Sequence, residues 1–160
     1  MPCGPRIKQM RTPGRMVVAA YDFAGYQRWL VRPGEFISAH GYCASPVLFE
    51  DLVILNGDHD GDSYVVALDK TTGKTVWSIP REHKTRSYVT PLIRDIAGRT
   101  QMLLSGSKCT ASYDPHTGKE LWVYKSPTAV TNRGVEYWPG DGTAPAMLLF
   151  ESGGKLVGLD

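Results

Sequence analysis

The sequence repeats itself with a period of about 45 residues, and this period restricts the fold more than any other feature. Four similar segments, VVAAYD, YVVALD, CTASYD and KLVGLD, end at aspartates that are 47, 45 and 46 residues apart: Asp22, Asp69, Asp114 and Asp160. Three tryptophans follow the first three aspartates at nearly the same spacing: Trp29, Trp77 and Trp122. A period of 20 to 50 residues is typical of solenoids, propellers and arrays.

Each repeat contains short β-rich runs separated by turn-forming residues. The unit that begins at Ser45 contains SPVLF, LVILNG, YVVALD and TVWSI, with Asp-Gly and Thr-Gly sequences in the breaks. Four short strands per repeat are typical of a β-propeller blade, and no segment shows the 3.6-residue period of a helix. The sequence therefore predicts an all-β fold: a partial β-propeller of four-stranded antiparallel blades.

The repeat also predicts where the blades lie. We expect an irregular N-terminal segment at residues 1–15 and a propeller segment at 16–160. Within the propeller segment, 45–80 and 87–125 are expected to be full blades, and 16–32 and 132–160 are expected to be incomplete ones. The smallest propellers have about four blades. We therefore expect the chain to associate with neighbouring blades of a longer chain or with itself.

The residues that recur in each repeat favour structural roles. In the segments that begin at Asp69 and Asp114, the aspartate is expected to accept hydrogen bonds from backbone amides across the turn. Gly73 and Gly118 suit the left-handed backbone region, and the tryptophan that follows offers a flat face to a neighbouring blade. No catalytic residue is assigned among them.

These segments resemble the repeat of the pyrroloquinoline quinone (PQQ) propellers. ALDKTTGKTVW and SYDPHTGKELW both look like that family's pattern A-x-D-x-x-T-G-x-x-x-W, whereas the first copy, AYDFAGYQRW, is one residue shorter and lacks the threonine. The family contains enzymes and also non-enzymatic scaffolds such as the bacterial outer-membrane assembly propeller. The resemblance implies a periplasmic or extracellular location.

The last third resembles a particular branch of that family. TNRGVEYWPGDG, residues 131–142, is similar to a segment of quinoprotein alcohol, methanol and glucose dehydrogenases that faces the cofactor. The resemblance implies that Arg133 and Asn132 are cofactor-binding residues, with Asn132 shaping the turn. Arginine suits this role because PQQ is a tricarboxylate and the guanidinium group binds carboxylates in a bidentate manner. The alternative for Arg133 is a surface ion pair with Glu136 or Asp141.

Two departures limit what this resemblance implies. Pro127 and Thr128 stand where the methanol and alcohol branch carries adjacent cysteines. The family's catalytic aspartate and calcium ligands belong to blades beyond Asp160, so Ca²⁺ is expected together with PQQ only in a longer chain. We assign no metal-binding residue, and whether the chain is an enzyme stays open.

Other clusters have weaker signals. The segment 58–62, DHDGD, could bind calcium, but its spacing departs from an EF-hand loop and favours a hairpin turn. The basic stretch 81–86, REHKTR, could form an anion-attracting rim with Arg133, or it could be a solvated loop. His40 could be a base or ligand, or an ordinary loop residue. Three distant cysteines suggest thiols, with one disulfide or a zinc site as alternatives.

Charge and hydropathy exclude several classes of function. The formal net charge is +2, which gives no general attraction to nucleic acid or anionic lipid. The longest apolar run near the start, Met16–Tyr21, has six residues. This is shorter than a signal-peptide core of about 7–15 residues or a membrane span of about 20. We therefore predict no signal peptide, no membrane span and no nucleic-acid partner.

Two hypotheses from different classes remain. The leading one is a PQQ-binding-like β-propeller repeat protein that forms a segment of a quinoprotein-dehydrogenase-like oxidoreductase. Such a protein would act on alcohol or sugar hydroxyls. The alternative is a non-catalytic β-propeller scaffold that mediates protein–protein interaction, similar to the outer-membrane assembly propellers.

Overall fold

The computed structural model describes residues 6–12, 14–38, 41–82, 86–130 and 133–160. Within these ranges the chain forms fifteen β-strands and no helix. The strands are β1 (Arg6–Thr12), β2 (Gly14–Tyr21), β3 (Gln27–Val31), β4 (Glu35–Phe36), β5 (Val47–Phe49), β6 (Leu52–Gly57), β7 (Tyr64–Asp69), β8 (Thr75–Pro80), β9 (Leu92–Ile96), β10 (Arg99–Ser105), β11 (Cys109–Tyr113), β12 (Glu120–Lys125), β13 (Glu136–Trp138), β14 (Met147–Ser152) and β15 (Lys155–Leu159).

The strands form four antiparallel sheets that follow one another along the chain. The second and third sheets have four strands each, in the orders β5-β6-β7-β8 and β9-β10-β11-β12. The fourth sheet contains β13-β14-β15, and in the first sheet β2 pairs with β1, β3 and the short β4. The predicted fold class, a partial propeller of antiparallel blades, is confirmed.

The N-terminal segment differs from the prediction for residues 1–15. Residues Arg6–Thr12 form β1, which pairs in continuous register with β2 from Arg6 opposite Tyr21 to Thr12 opposite Arg15. The sequence RIKQMRT has no apolar alternation, so its side chains gave no strand signal. The backbone of buried β2 nevertheless needs hydrogen-bond partners along both edges, and β1 supplies one of them.

The core lies between the sheets, in two layers on either side of β6 and β7. On one side, Val53, Leu55, Val66 and Leu68 pack against Met16, Val18, Ala20 and Trp29 of the first sheet. On the other side, Ile54, Val65 and Ala67 pack against Met102, Leu104, Ala111 and Tyr113 of the third sheet. Because both faces of the second sheet are covered, its strands are continuous apolar runs rather than alternating ones.

The repeated Asp-to-Gly turns each connect two strands of one sheet and pack against the preceding sheet. The Asp69 carboxylate accepts hydrogen bonds from the Thr71 and Thr72 amides at 3.0 and 2.7 Å and from the Thr72 hydroxyl at 2.8 Å. Gly73 then adopts a φ of 73°, and a Cβ placed there would lie 2.7 Å from the Trp29 indole of the preceding sheet. The Trp29 N–H donates to the Lys70 carbonyl at 3.0 Å. Trp29 therefore ties the first sheet to the turn of the second sheet.

The hydrogen bonds within the turn have an electrostatic consequence. The side-chain hydrogen bond from Thr72, followed by its backbone amide, holds the pKa of Asp69 below its ordinary value. The carboxylate is therefore ionised wherever the turn is formed at neutral pH, and it serves as a cap.

No helix with the length and apolar character of a membrane span is found in the part of the chain that the structure describes.

Candidate functional site

The connections between strands alternate between two ends of each sheet. The β6–β7, β8–β9, β10–β11, β12–β13 and β14–β15 connections share one end, which we call the loop face. The Asp-to-Gly turns lie at the opposite end, which we call the turn face. Because connections from three different sheets meet on the loop face, this end can assemble a site from distant parts of the sequence.

A pocket of about 590 Å³ opens on the loop face between the third and fourth sheets. Its described lining consists of Arg86, Ser107, Ala129, Val130, Arg133, Glu151 and Gly153. We call this the two-arginine pocket. Both arginines are exposed, so the pocket presents two cationic groups and one carboxylate to solvent.

Hydrogen bonds between loops position the pocket wall. The Arg86 amide donates to Ser107 Oγ at 3.1 Å, and the Val130 amide donates to the Ser107 carbonyl at 3.1 Å. The Gly153 amide donates to the Ala129 carbonyl at 3.1 Å. The Arg86 guanidinium also contacts the Asp60 carboxylate at 3.1 Å. These contacts connect loops of the second, third and fourth sheets into one surface.

Of the two predicted cofactor-binding residues, one lies in this pocket and the other lies outside the described residues. Arg133 lies in the wall of the two-arginine pocket, whereas Asn132 lies outside the described residues. Asp141, one of the alternative partners of Arg133, accepts hydrogen bonds from the Thr143 hydroxyl and amide and from the Ala144 amide. These bonds, chiefly the one from the Thr143 hydroxyl, lower the pKa of Asp141 to about 2. The Asp141 carboxylate thus stabilises its own loop.

A buried ionic network lies beneath the loop face, between the second and third sheets. Arg81 Nε and Nη2 donate to the two oxygens of Asp58 at 3.2 and 3.3 Å, and Arg81 Nη1 donates to the Tyr113 hydroxyl at 2.9 Å. Ser87 Oγ donates to Asp58 at 2.6 Å, and Asn56 donates to Ser87 at 3.1 Å. Burial lowers the pKa of Arg81, but the Asp58 carboxylate outweighs this and holds it above its ordinary value.

This network divides the basic stretch 81–86 into parts with different roles. Arg81 is a buried structural cation and takes no part in an anion-attracting rim. Arg86 does line the pocket beside Arg133, and residues 83–85 lie outside the described residues. Sequence reasoning missed the Asp58–Arg81 pair, although each residue directly follows a strand and so stands at the same end of its sheet.

The acidic segment 58–62 forms a hairpin turn. His59 Nδ1 accepts a hydrogen bond from the Gly61 amide at 2.9 Å, while Asp60 contacts Arg86 and Asp58 contacts Arg81. No cluster of three or more His, Cys, Asp or Glu residues with metal-binding geometry is found among the described residues. The histidine at position 40 lies outside them, and no disulfide joins the described cysteines, Cys43 and Cys109.

The two-arginine pocket fits part of what PQQ would require. Two guanidinium groups suit the carboxylates of such a cofactor. However, the described lining contains no aromatic ring to stack against a planar quinone, and no calcium ligand set accompanies it within the described ranges. The pocket of this chain is therefore suited to an anionic group, and Arg86 and Arg133 are the residues that would hold it.

Comparisons with known proteins agree with the fold. Residues 10–144 match the family model of the outer membrane protein assembly factor BamB. The crystal structure of BamB from Moraxella catarrhalis is similar with a TM-score of 0.65 and 21% identity, covering 98% of this chain and 42% of that one. No curated protein matches.

Two dehydrogenases are also similar in structure. A europium-containing methanol dehydrogenase has a TM-score of 0.55 and 17% identity, covering 76% of this chain and 23% of that one. Quinohemoprotein alcohol dehydrogenase from Comamonas testosteroni has a TM-score of 0.54 and 15% identity, covering 86% and 30%. The chain thus spans less than half the length of these proteins. The predicted resemblance to the PQQ-type propellers is confirmed.

Proposed function

Because this chain belongs to the family of the outer membrane protein assembly factor BamB, we propose that it is part of a non-catalytic propeller that binds protein partners through its loop face. The observation that carries this proposal is the two-arginine pocket, which combines both signs of charge on a surface that three sheets hold in place. Arg86 and Arg133 can bind an acidic side chain or a chain terminus, and Glu151 can bind a basic side chain.

The chemistry of the other charged residues supports this proposal. Asp69 and Asp114 cap turns, and Asp58 is held in a buried ion pair. These carboxylates are engaged in hydrogen bonds and an ion pair within the fold. Arg86 and Arg133, in contrast, are exposed to solvent on the loop face.

The hydrogen bonding of the pocket wall supports it as well. The pocket wall is held by backbone hydrogen bonds and by the bridge between Val130, in the β12–β13 connection, and Ser152, the last residue of β14. Groups that are already held by hydrogen bonds lose less conformational entropy on binding, which favours recognition of a protein partner. By analogy with the family, we propose that this recognition takes place in the periplasm or outside the cell.

A second candidate is a segment of a quinoprotein dehydrogenase that acts on alcohol or sugar hydroxyls. The observation that favours it is the position of Arg133, from the motif NRGVEYWPGDG, beside a second arginine in the same pocket. Arg86 and Arg133 would then hold carboxylates of PQQ. The quinone would supply the redox chemistry, and calcium ligands would come from outside this chain.

Site-specific photo-crosslinking separates these two functions. A photoreactive amino acid is placed at exposed Ala129 in the wall of the two-arginine pocket, or at exposed Lys74 on the turn face as the matched control. If the loop face binds protein, position 129 gives discrete crosslinked partners in the host cell and position 74 gives none. Equal or absent crosslinking at both positions would contradict the proposal.

Titration with PQQ and Ca²⁺ provides the complementary test. The scaffold function predicts no saturable PQQ binding. Saturable binding that is lost in Arg133→Ala, but retained in an Arg94→Ala control, would instead establish the quinoprotein candidate.

A further inference from the structure

The loop that connects β6 and β7 places a histidine nitrogen against the backbone of an Asp-Gly pair. His59 Nδ1 accepts a hydrogen bond from the Gly61 amide at 2.9 Å, and this amide belongs to the peptide bond between Asp60 and Gly61. Glycine is required for so close an approach, because a Cβ at position 61 would lie 2.7 Å from His59 Cε1. The imidazole ring is therefore in direct contact with the Asp60-Gly61 peptide.

The other ring nitrogen of His59 decides which tautomer is present. His59 Nε2 lies 3.0 Å from the Asp62 carbonyl, which can only accept a hydrogen bond, so Nε2 carries the proton. Nδ1 is consequently the unprotonated nitrogen, and the Ile37 amide also donates to it, at 3.4 Å. An unprotonated imidazole nitrogen within hydrogen-bond reach of a proton has the geometry of a general base.

An Asp-Gly pair can rearrange its own main chain. The glycine nitrogen attacks Cγ of the aspartic acid, an N–Cγ bond forms, the Cγ–OH bond breaks and water leaves. A second water molecule then opens the cyclic imide at either carbonyl, which yields aspartate or isoaspartate. The first step needs a base that removes the amide proton and an acid that gives a proton to the departing hydroxyl.

We propose that Asp60-Gly61 is a site of self-catalysed isomerisation, in which His59 removes the Gly61 amide proton and returns it to the hydroxyl that leaves Asp60. Solvent supplies the water that opens the imide, since Asp60, Gly61 and Asp62 are exposed. Arg86 opposes the reaction, because the contact of its guanidinium with the Asp60 carboxylate, at 3.1 Å, must break before the carboxyl group loses water.

The rearrangement changes the two-arginine pocket. In isoaspartate, the former side-chain carboxyl carbon becomes part of the main chain, and the new carboxylate stands directly on Cα. The carboxylate that now contacts Arg86 is therefore consumed, and the ion pair is lost. Because Arg86 lines the pocket, isomerisation of Asp60 would leave its guanidinium group without this partner on the loop face.

A second Asp-Gly pair, Asp141-Gly142, provides an internal control. The Asp141 carboxylate accepts hydrogen bonds from the Thr143 hydroxyl and from the Thr143 and Ala144 amides, and these lower its pKa to about 2. The acid form that loses water is therefore scarce at neutral pH. Among the residues that the structure describes, no histidine nitrogen contacts Gly142. Both pairs can be followed in the same sample.

The test incubates the chain at neutral pH in water enriched in oxygen-18 and follows both pairs by peptide mass spectrometry. Each opening of the imide adds one heavy oxygen, and electron-transfer fragmentation distinguishes isoaspartate from aspartate. We expect Asp60 to incorporate oxygen-18 about tenfold faster or more in the folded chain than in the chain unfolded by guanidinium chloride. Asp141 should instead react more slowly in the folded chain, since its carboxylate is hydrogen-bonded there.

Two variants separate the roles of base and ion pair. A folded His59→Gln variant should lose the acceleration at Asp60 and keep the Asp141 rate. Arg86→Met removes only an exposed ion pair, keeps the buried histidine and should raise the Asp60 rate further. Equal rates at Asp60 and Asp141 in the folded chain, or a slower Asp60 reaction in the folded than in the unfolded chain, would overturn the inference. So would an unchanged Asp60 rate in folded His59→Gln, or a lower one in Arg86→Met.

Discussion

Arg81→Met should lower the free energy of unfolding by about 3–5 kcal/mol, because it removes the partner of a buried carboxylate. The side chains of Arg81 and Asp58 are 1% and 0% exposed, and two guanidinium nitrogens contact the two carboxylate oxygens. Ser87 would stay as a donor to Asp58, but a hydroxyl does not balance the charge. With roughly 2–4 °C of Tm per kcal/mol in a chain of this length, the expected fall is roughly 6–20 °C.

The chain contains a matched control for this prediction. Arg86 contacts Asp60 at 3.1 Å, which is close to the 3.2 Å between Arg81 and Asp58. The side chains of Arg86 and Asp60 are 48% and 35% exposed, however. Ion pairs of this exposed kind contribute about 0–1 kcal/mol, so Arg86→Met should change stability by no more than that.

Urea denaturation followed by far-ultraviolet circular dichroism measures both variants. The double variant Asp58→Asn with Arg81→Met completes the cycle. It should be less destabilised than the sum of its single variants, because the unpaired charge is gone. If Arg81→Met and Arg86→Met were equally destabilising, burial would not be the cause and the reasoning would be refuted.

Three further predictions concern the turns and the thiols. Gly73→Ala should lower the free energy of unfolding, measured by urea denaturation, by about 2 kcal/mol or more, because its Cβ would meet an indole 2.7 Å away. The control Gly98→Ala has a similar φ of 74° but open space around the new Cβ, so it should lower that free energy by about 1 kcal/mol. Equal losses in the two variants would contradict the contact with the indole. The lowered pKa of Asp141, about 2 against about 3.9 unfolded, means that its stabilising effect is present above about pH 4 and is lost as the pH falls towards 2. An NMR titration of the Asp141 carboxyl carbon should therefore give a midpoint near pH 2. A midpoint near pH 4 would show that the hydrogen bonds of this loop do not form. Burial raises the pKa of the Cys109 thiol, whereas Cys43 is exposed. Maleimide should therefore modify Cys43 about a hundredfold faster than Cys109, or more, as measured by peptide mapping. Similar rates for the two thiols would show that Cys109 is accessible.

The repeat predicted much of the fold because its markers are local. An aspartate, a glycine four residues later and a tryptophan four residues after that encode a turn and a packing contact within a short segment, as at Asp69, Gly73 and Trp77. Strand β1 was not predicted, since its pairing with β2 depends on backbone hydrogen bonds and its side chains show no pattern.

The candidate site was predictable only in part. Arg133 was found from a motif, and its proximity to Arg86 follows from the alternation of strand connections between two ends of a sheet. The Asp58–Arg81 pair could not be recognised from composition, because a buried and an exposed arginine look the same in a basic stretch. Arg81 and Arg86 stand five positions apart in sequence yet differ in burial, which only the packing of neighbouring sheets decides.

The contacts of Trp29 and Trp77 with the following sheets also set an order of assembly during synthesis. Trp29 cannot be covered until Gly73 has left the ribosome, and Trp77 must wait for Gly118, about 45 residues later. At roughly 5–20 residues per second, each indole stays open for roughly 2–9 s. During synthesis, the last completed sheet of the nascent chain therefore exposes its uncovered indole and the apolar face around it. This exposed face shifts towards the C-terminus as translation proceeds, and a chaperone can bind there.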